Sequence, residues 1–225
     1  MRVVVLASQK GGAGKTTTAR HLAVEAERQG EGPVALIDAD PQGGLAAWWN
    51  RRASETPVFV EATLEGLPET LVKLGQAGFR YAIIDTPPAV TDRIRAVVRL
   101  ADLVLVPARP SPDDLDAVGA TIDLVEAAGK PMVFIINAAT KKARLTGQAA
   151  IVLSQHGTVA PAVIHHSVAF PGSAVLGLTV GEVDPESSPA QEVADLWAYV
   201  SARLQKDDMQ ASNLSSKQAS FESDS

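Results

Sequence analysis

Short runs of apolar and β-branched residues alternate along this chain with longer stretches whose apolar positions recur at helical spacing. The short runs predict strands over residues 2–7, 33–38, 58–61, 80–85, 103–107, 132–137 and 159–164, because a strand covered on both faces is apolar throughout. The longer stretches predict helices over 15–29, 45–53, 67–76, 91–100, 114–128, 145–156 and 189–205. Strand followed by helix, repeated, is the pattern of βα units. The expected fold is therefore α/β, a mostly parallel twisted sheet with helices on both faces. No internal repeat is visible. After Leu204 the apolar positions give out, and a stretch rich in Ser, Gln, Asn and Lys runs to Ser225. Such a composition buries too little apolar surface to offset its ordering entropy. The organisation expected is one domain over 1–204 and a disordered polar tail over 205–225.

The clearest chemistry lies between the first strand and the first helix, in Lys10-Gly11-Gly12-Ala13-Gly14-Lys15-Thr16-Thr17. Glycines let the backbone curl until several amide N–H groups point into one concavity, and the helix that follows adds the positive end of its dipole. Lys15 supplies a charge for the β and γ phosphates of a nucleotide, and the Thr16 hydroxyl is a ligand for Mg²⁺. Gly11, Gly12, Ala13, Gly14 and Thr17 complete the cradle, so ATP and Mg²⁺ are the implied cofactors. The usual loop, G-x-x-x-x-G-K-[ST], would place glycine at position 9, where this chain has Gln9. A second lysine, Lys10, opens the loop instead. A glycine-rich turn with incidental lysines is the plain alternative, and the strand–loop–helix context weighs against it.

Two further apolar runs end in carboxylates. Asp38-Ala39-Asp40-Pro41-Gln42 follows the second strand, at the edge where open α/β sheets bind ligands. Asp85 follows 80–84, and an acid there can hold Mg²⁺ directly or through water. By itself an apolar run ending in Asp is a weak signal. A later strand ends in Asn137, whose amide can both donate to and accept from a purine edge.

Taken in this order, these segments resemble the ParA/MinD family of deviant Walker-type P-loop ATPases over nearly the whole of 1–204. The resemblance implies that Lys10 is the signature lysine, crossing an ATP-dependent homodimer interface to the partner's phosphates. It implies that Asp40, in the first switch, orients the attacking water and touches the metal directly or through water. Asp38 is counted with the nucleotide-site residues. Asp85 then takes the Walker B role with 86–88 as second switch, and Asn137 contacts adenine. Residues 161–171, with His165 and His166, fall where the family has a second base-contacting loop, although a solvated loop is the plainer reading of those histidines. Residues 177–180 and 189–193 look like the family's closing loop and helix.

Composition narrows the choice within the family. Hydrophobic residues make up 46% and charged residues 20%, as in a soluble globular protein. No run approaches the roughly 18 apolar residues that cross a bilayer, and the apolar start is too short for a secretory signal. A cytoplasmic protein is expected, with no membrane partner. The absence of cysteine excludes disulfides and cysteine-held iron–sulfur carriers. The tail lacks the basic amphipathic helix of a membrane-cycling division regulator. No helix-turn-helix segment precedes the first strand, so a partition repressor with an N-terminal DNA-reading domain is not expected either.

The net charge of −6 offers nucleic acid no global attraction, so DNA binding needs a local patch. Lys141, Lys142, Arg144 and Arg203 are the candidates, Arg203 because it lies near the family's DNA-contacting residues. Arg93, Arg95 and Arg99 form another basic stretch, more simply a solvated face. The segment 45–52, with Trp48, Trp49, Arg51 and Arg52, reads either as a partner surface or as a helix that buries one tryptophan while its arginines snorkel. The expected function is that of a small ParA-like MgATPase, nucleoid-associated in its ATP state through non-specific double-stranded DNA. It would position a plasmid, chromosome region or protein cluster with a ParB-like or cargo adaptor protein. An ATP-dependent amide-forming ligase on the same fold and a nucleotide-dependent filament are the alternatives.

Overall fold

The apolar runs pair side by side. The computed structural model describes residues 1–223, with side chains for 1–206. Its strands are β1 (Arg2–Leu6), β2 (Val34–Asp38), β3 (Val58–Phe59), β4 (Tyr81–Asp85), β5 (Leu103–Ala108), β6 (Met132–Ile136) and β7 (Thr158–Val159). They form one sheet in the order β3-β2-β4-β1-β5-β6-β7, and every pairing is parallel. Strand β4 is buried along its whole length and β1 along all but its first residue, as expected where helices cover both faces.

The helices are α1 (Lys15–Arg28), α2 (Gly44–Trp49), α3 (Leu67–Gln76), α4 (Asp92–Arg99), α5 (Pro112–Asp116), α6 (Gly119–Ala127), α7 (Arg144–Ser154), α8 (Ala169–Val175), α9 (Val180–Val183) and α10 (Ser188–Ser223). The tail expected over 205–225 lies, beyond Lys206, outside the described side chains. On one face of the sheet α1 and α10 pack together, with Val193, Leu196, Trp197, Val200 and Leu204 forming an apolar stripe against Leu22, Ala26 and Tyr81. On the other face α3, α4 and α6 supply Leu67, Leu71, Ile94, Val97, Val98, Ile122 and Val125.

Several local expectations change, among them the strand expected over 159–164, which is only Thr158–Val159. The helix expected over 114–128 is two helices, because Ser111 and Pro112 open α5 and the chain restarts at Gly119, a poor helix former. Helix α8 carries Pro171 and Gly172, which hide it from a periodicity reading, although proline is tolerated in a first turn. Helix α9 is a single turn held by a Thr179–Glu182 capping box. Finally, Arg52 does not snorkel. Its guanidinium donates to Glu182 Oε1 at 2.8 Å and to Gly177 O at 2.9 Å, and it stacks 4.9 Å from the ring of the fully buried Trp48. Arg51 stays exposed.

Candidate functional site

Strand order brings the predicted residues together. Because β4 lies between β2 and β1, Asp85 is level with Asp38 on one side and with Leu6, the last residue of β1, on the other. The loop then turns into α1 through Gly14, which has φ 104. No side chain caps α1, and its first turn holds no acid, so its amide N–H groups and the positive end of its dipole are left for an anion. A cleft of about 360 Å³ opens there, lined by Gly11, Gly12, Gly14, Lys15, Thr16, Thr17, Asp40, Pro88 and Arg109.

The two lysines are held differently. Lys15 is buried, and its Nζ donates to Ser8 O at 3.1 Å and Lys10 O at 3.5 Å. Burial lowers its pKa, against the pull of Asp85 and Asp40. Lys10 is only partly buried. Its backbone N–H donates to Ser8 Oγ at 3.3 Å, and its ammonium makes no hydrogen bond or ion pair among the described residues.

The carboxylates also separate by role. Asp38 accepts from the backbone N–H groups of Asp40, Leu45 and Ala46, each at 3.0 Å. That carboxylate ties down the turn and the start of α2, and it does not line the cleft. Asp40 lines the cleft and accepts from Gln42 N–H at 3.0 Å. Asp85 is 1% exposed. The Thr16 hydroxyl donates to its Oδ2 at 2.5 Å, while its Oδ1 is buried with no partner. Burial pushes the Asp85 carboxyl up to about 7, the Thr16 hydrogen bond acting in the other direction and Asp38 and Asp40 adding to the rise. A buried orphan carboxylate oxygen beside a hydroxyl and a second acid is a donor set suited to a hard, oxygen-liganded cation. Thr16 and Asp85, with Asp40 nearby, fit Mg²⁺.

A second cleft of about 230 Å³ continues from the first and is lined by Gly12, Gly14, Thr17, Arg109, Asn137, Ala138, His165, His166, Ser167, Phe170 and Pro171. Its lining mixes apolar side chains with the Asn137 amide, Arg109 and two histidines. Asn137 closes it on the loop side, donating from Nδ2 to Ala13 O at 2.7 Å. His165 is anchored to α10 through Glu192, which accepts from its N–H at 2.9 Å and lies 2.8 Å from its Nδ1. His166 is exposed at the rim. Beneath, the His21 imidazole pairs its Nδ1 with Thr17 O at 2.7 Å and its Nε2 with Val180 N–H at 3.3 Å, which requires the neutral ring with the proton on Nδ1.

Arg109 belongs to both clefts, and no motif pointed to it. A readable signal exists, since Arg109 stands between the end of an apolar strand and Pro110-Ser111-Pro112. The DNA-contact candidates do not converge. Lys141, Lys142 and Arg144 are exposed in the turn from β6 to α7, where Lys141 Nζ reaches Ser188 Oγ at 3.3 Å, at the start of α10. Arg203 is fifteen positions further along that helix, about 22 Å away at 1.5 Å per residue. Its neighbour Leu204 lines a cavity with Met1, Arg2 and Tyr81 at the amino ends of the central strands β1 and β4.

Residues 4–180 match the CobQ/CobB/MinD/ParA nucleotide binding domain. The chain is 40% identical over 124 residues to "Maintenance of carboxysome distribution protein A" of Gloeobacter kilaueensis, covering 54% of this chain but only 55% of that protein. It thus spans about half the length of that relative. It is 28% identical to the "Chromosome-partitioning ATPase Soj" of Thermus thermophilus, over 92% of this chain and 98% of that one. Among solved structures, the septum site-determining protein MinD of Pyrococcus horikoshii, complexed with Mg-ADP, shares the fold at a TM-score of 0.73 and 18% identity, covering 88% of this chain and 95% of that chain.

Proposed function

Because the chain belongs to the CobQ/CobB/MinD/ParA nucleotide-binding family, we propose that it is a ParA-like MgATPase whose ATP state pairs two copies and engages DNA to position cargo. The observation that carries this reading is the contrast between the two loop lysines. Lys15 is buried and its ammonium donates to the carbonyls of Ser8 and Lys10, whereas Lys10 is only partly buried and its ammonium makes no hydrogen bond or ion pair among the described residues. The contrast supports a reading in which Lys15 faces phosphates from within and Lys10 reaches outward. Relatives named for carboxysome distribution and chromosome partitioning favour positioning as the purpose.

Within the site, Lys15 and the loop amides would bind the phosphates, and Thr16 and Asp85 would hold Mg²⁺, which neutralises charge on the phosphoryl group. Asp40, at the cleft mouth, would orient the attacking water and accept its proton. Asn137 would give up its bond to Ala13 or share it with the base. A DNA-facing surface is supported by charge segregation. The chain has 26 acidic residues, yet none lies between Glu126 and Glu182, the stretch that builds β6, α7, β7 and α8. Lys141, Lys142 and Arg144 sit inside it and are the proposed phosphate contacts, with a ParB-like or cargo adaptor as the activating partner.

The test compares the parent with Lys15→Ala and Lys10→Ala, measuring MgATP affinity with a fluorescent analogue and assembly by sedimentation. Lys15→Ala should lose binding. Lys10→Ala should bind as the parent does but fail to pair, since a ligand shifts assembly only through contacts made in the paired state. An ATP-bound Lys10→Ala dimer as tight as the parent's would sink the switch. Turnover stimulated by a small carboxylic acid and not by DNA would select the ligase instead.

A further inference from the structure

Strand β5 delivers Arg109 to the side of the phosphate loop. It pairs with β1 in the register Leu6↔Leu105, and Ala7 N–H donates to Leu105 O at 3.0 Å, so the chain leaving β5 runs beside the chain leaving β1. The backbone of Arg109 is then fixed. Ser111 N–H donates to its carbonyl at 2.8 Å, and the Ser111 hydroxyl, bonded to Asp114 Oδ2 at 2.6 Å, opens α5. From this base the guanidinium turns back and donates through Nη2 to the carbonyl of Gly12. Among the described residues no carboxylate pairs with it. Arg109 lines both the phosphate cleft and the base cleft.

A neutral carbonyl is a modest partner for a guanidinium, whose planar fork matches phosphate oxygens two at a time. We propose that Arg109 is a phosphate clamp acting within its own subunit. It braces the Gly12 carbonyl in the nucleotide-free chain, and it turns to the phosphate oxygens of a bound nucleoside diphosphate or triphosphate. This rests on the nucleotide reading of the site. Its position between the two clefts puts it over the part of the ligand that joins base to terminal phosphate, so both diphosphates and triphosphates should feel it. Release of Gly12 on binding would also make the loop backbone report occupancy.

The experiment measures dissociation constants for MgATP, MgADP and, by competition, adenosine, for the parent, Arg109→Ala, Arg109→Lys, Arg109→Gln and Lys15→Ala, at two protein concentrations. Arg109→Ala should weaken MgATP and MgADP about 10-fold, the loss of one charge-assisted pair, and leave adenosine unchanged. Arg109→Lys should recover part of the loss as a point charge. Arg109→Gln can still reach Gly12 but carries no charge, and should behave as the alanine variant does. Parental affinity in Arg109→Gln would mean that bracing alone matters, and equal weakening of adenosine would mean a packing role; either overturns the clamp. A loss seen only at the concentration where copies pair would overturn the own-subunit assignment. Unchanged affinities in Arg109→Ala, with Lys15→Ala abolishing them, would remove the clamp and spare the nucleotide site. A parent that fails to bind MgATP would remove both.

Discussion

Asp85 and His21 are buried titratable groups whose linkage to stability has opposite sign. The Asp85 carboxyl is raised from 3.8 to about 7 by burial, so the native chain holds that proton more tightly than the unfolded one. Its contribution is complete below pH 3.8 and is lost as pH rises through 7. His21 is lowered from 6.5 to about 3, chiefly by burial and then by the Arg20 charge. Its contribution is present above pH 6.5 and is lost as pH falls toward 3. In nucleotide-free, Mg²⁺-free protein, Asp85→Asn should therefore raise stability at pH 8 by ~2 kcal/mol, with the gain shrinking toward pH 4. Urea unfolding at pH 8, 6 and 4.5 checks it, and an equal or lower midpoint for the variant at pH 8 contradicts it. In the Asp85→Asn background, acidification below pH 6.5 should lower stability by up to ~1.4 kcal/mol per pH unit, and adding His21→Gln should flatten that slope. A slope that persists after His21 is replaced would assign the acid sensitivity elsewhere.

At the scale of elements, the loop and the helix it opens behave as one device. Gly14 combines a backbone at φ 104 with a position where a Cβ would run into the Asn137 amide, the group that holds Ala13 O. A side chain there strains the turn and displaces the Asn137 amide from Ala13 O together. Gly14→Ala should cost about 1–2 kcal/mol of stability while leaving the helical circular-dichroism signal intact. It should weaken MgATP by more than the 10-fold expected of Arg109→Ala, because it misplaces every amide of the cradle. Parental nucleotide affinity in a folded Gly14→Ala chain would refute the coupling. Helix α2 shows the complementary case. Its start is tied by Asp38, which also holds the Asp40 N–H, so the turn bearing Asp40 is fixed on both sides by one carboxylate; just beyond the end of the helix Arg52 clasps Glu182.

For the whole molecule, the acid-free stretch from β6 to α8 gives a chain of net charge −6 one flank whose own segment carries no carboxylate, with Glu192 of α10 at its border, bonded to His165 and Ser188. Pairing two copies would present two such flanks at once and raise avidity without a new kind of contact. In its ATP state the protein should bind unrelated duplexes equally, with affinity falling steeply as salt rises, about −0.9 in log–log slope per phosphate neutralised. Replacing Lys141, Lys142 and Arg144 together by alanine should flatten that slope by about 1–3 for each subunit engaged. Arg203→Ala should leave it alone, since Arg203 lies at the other end of the sheet with its Nε buried. A salt titration with ATP, ADP and no nucleotide decides this. Equal slopes for the triple variant and the parent would move the DNA surface elsewhere, and no binding at any salt would favour the ligase.

What the sequence determined by itself was whatever depends on neighbours along the chain. The glycine loop from Lys10 to Thr17, the strand ends at Asp38 and Asp85, and the alternation of βα units are all readable because backbone curvature, helix dipoles and side-chain period are local properties. Tertiary structure decided which of those pieces face one another. The bond from Thr16 to Asp85 spans 69 positions and the one from Arg109 to Gly12 spans 97, and both follow from β1 lying between β4 and β5, an order that no single segment encodes. Asp38 bonds backbone amides only two to eight positions ahead and does not line the cleft beside the glycine loop. The course of α10 across the sheet separated Arg203 from Lys141, Lys142 and Arg144, although all four look alike as charges in sequence. Side-chain chemistry is written residue by residue, but its targets are set by strand order, because long-range pairing is chosen by the burial of the whole sheet and not by any one of its strands.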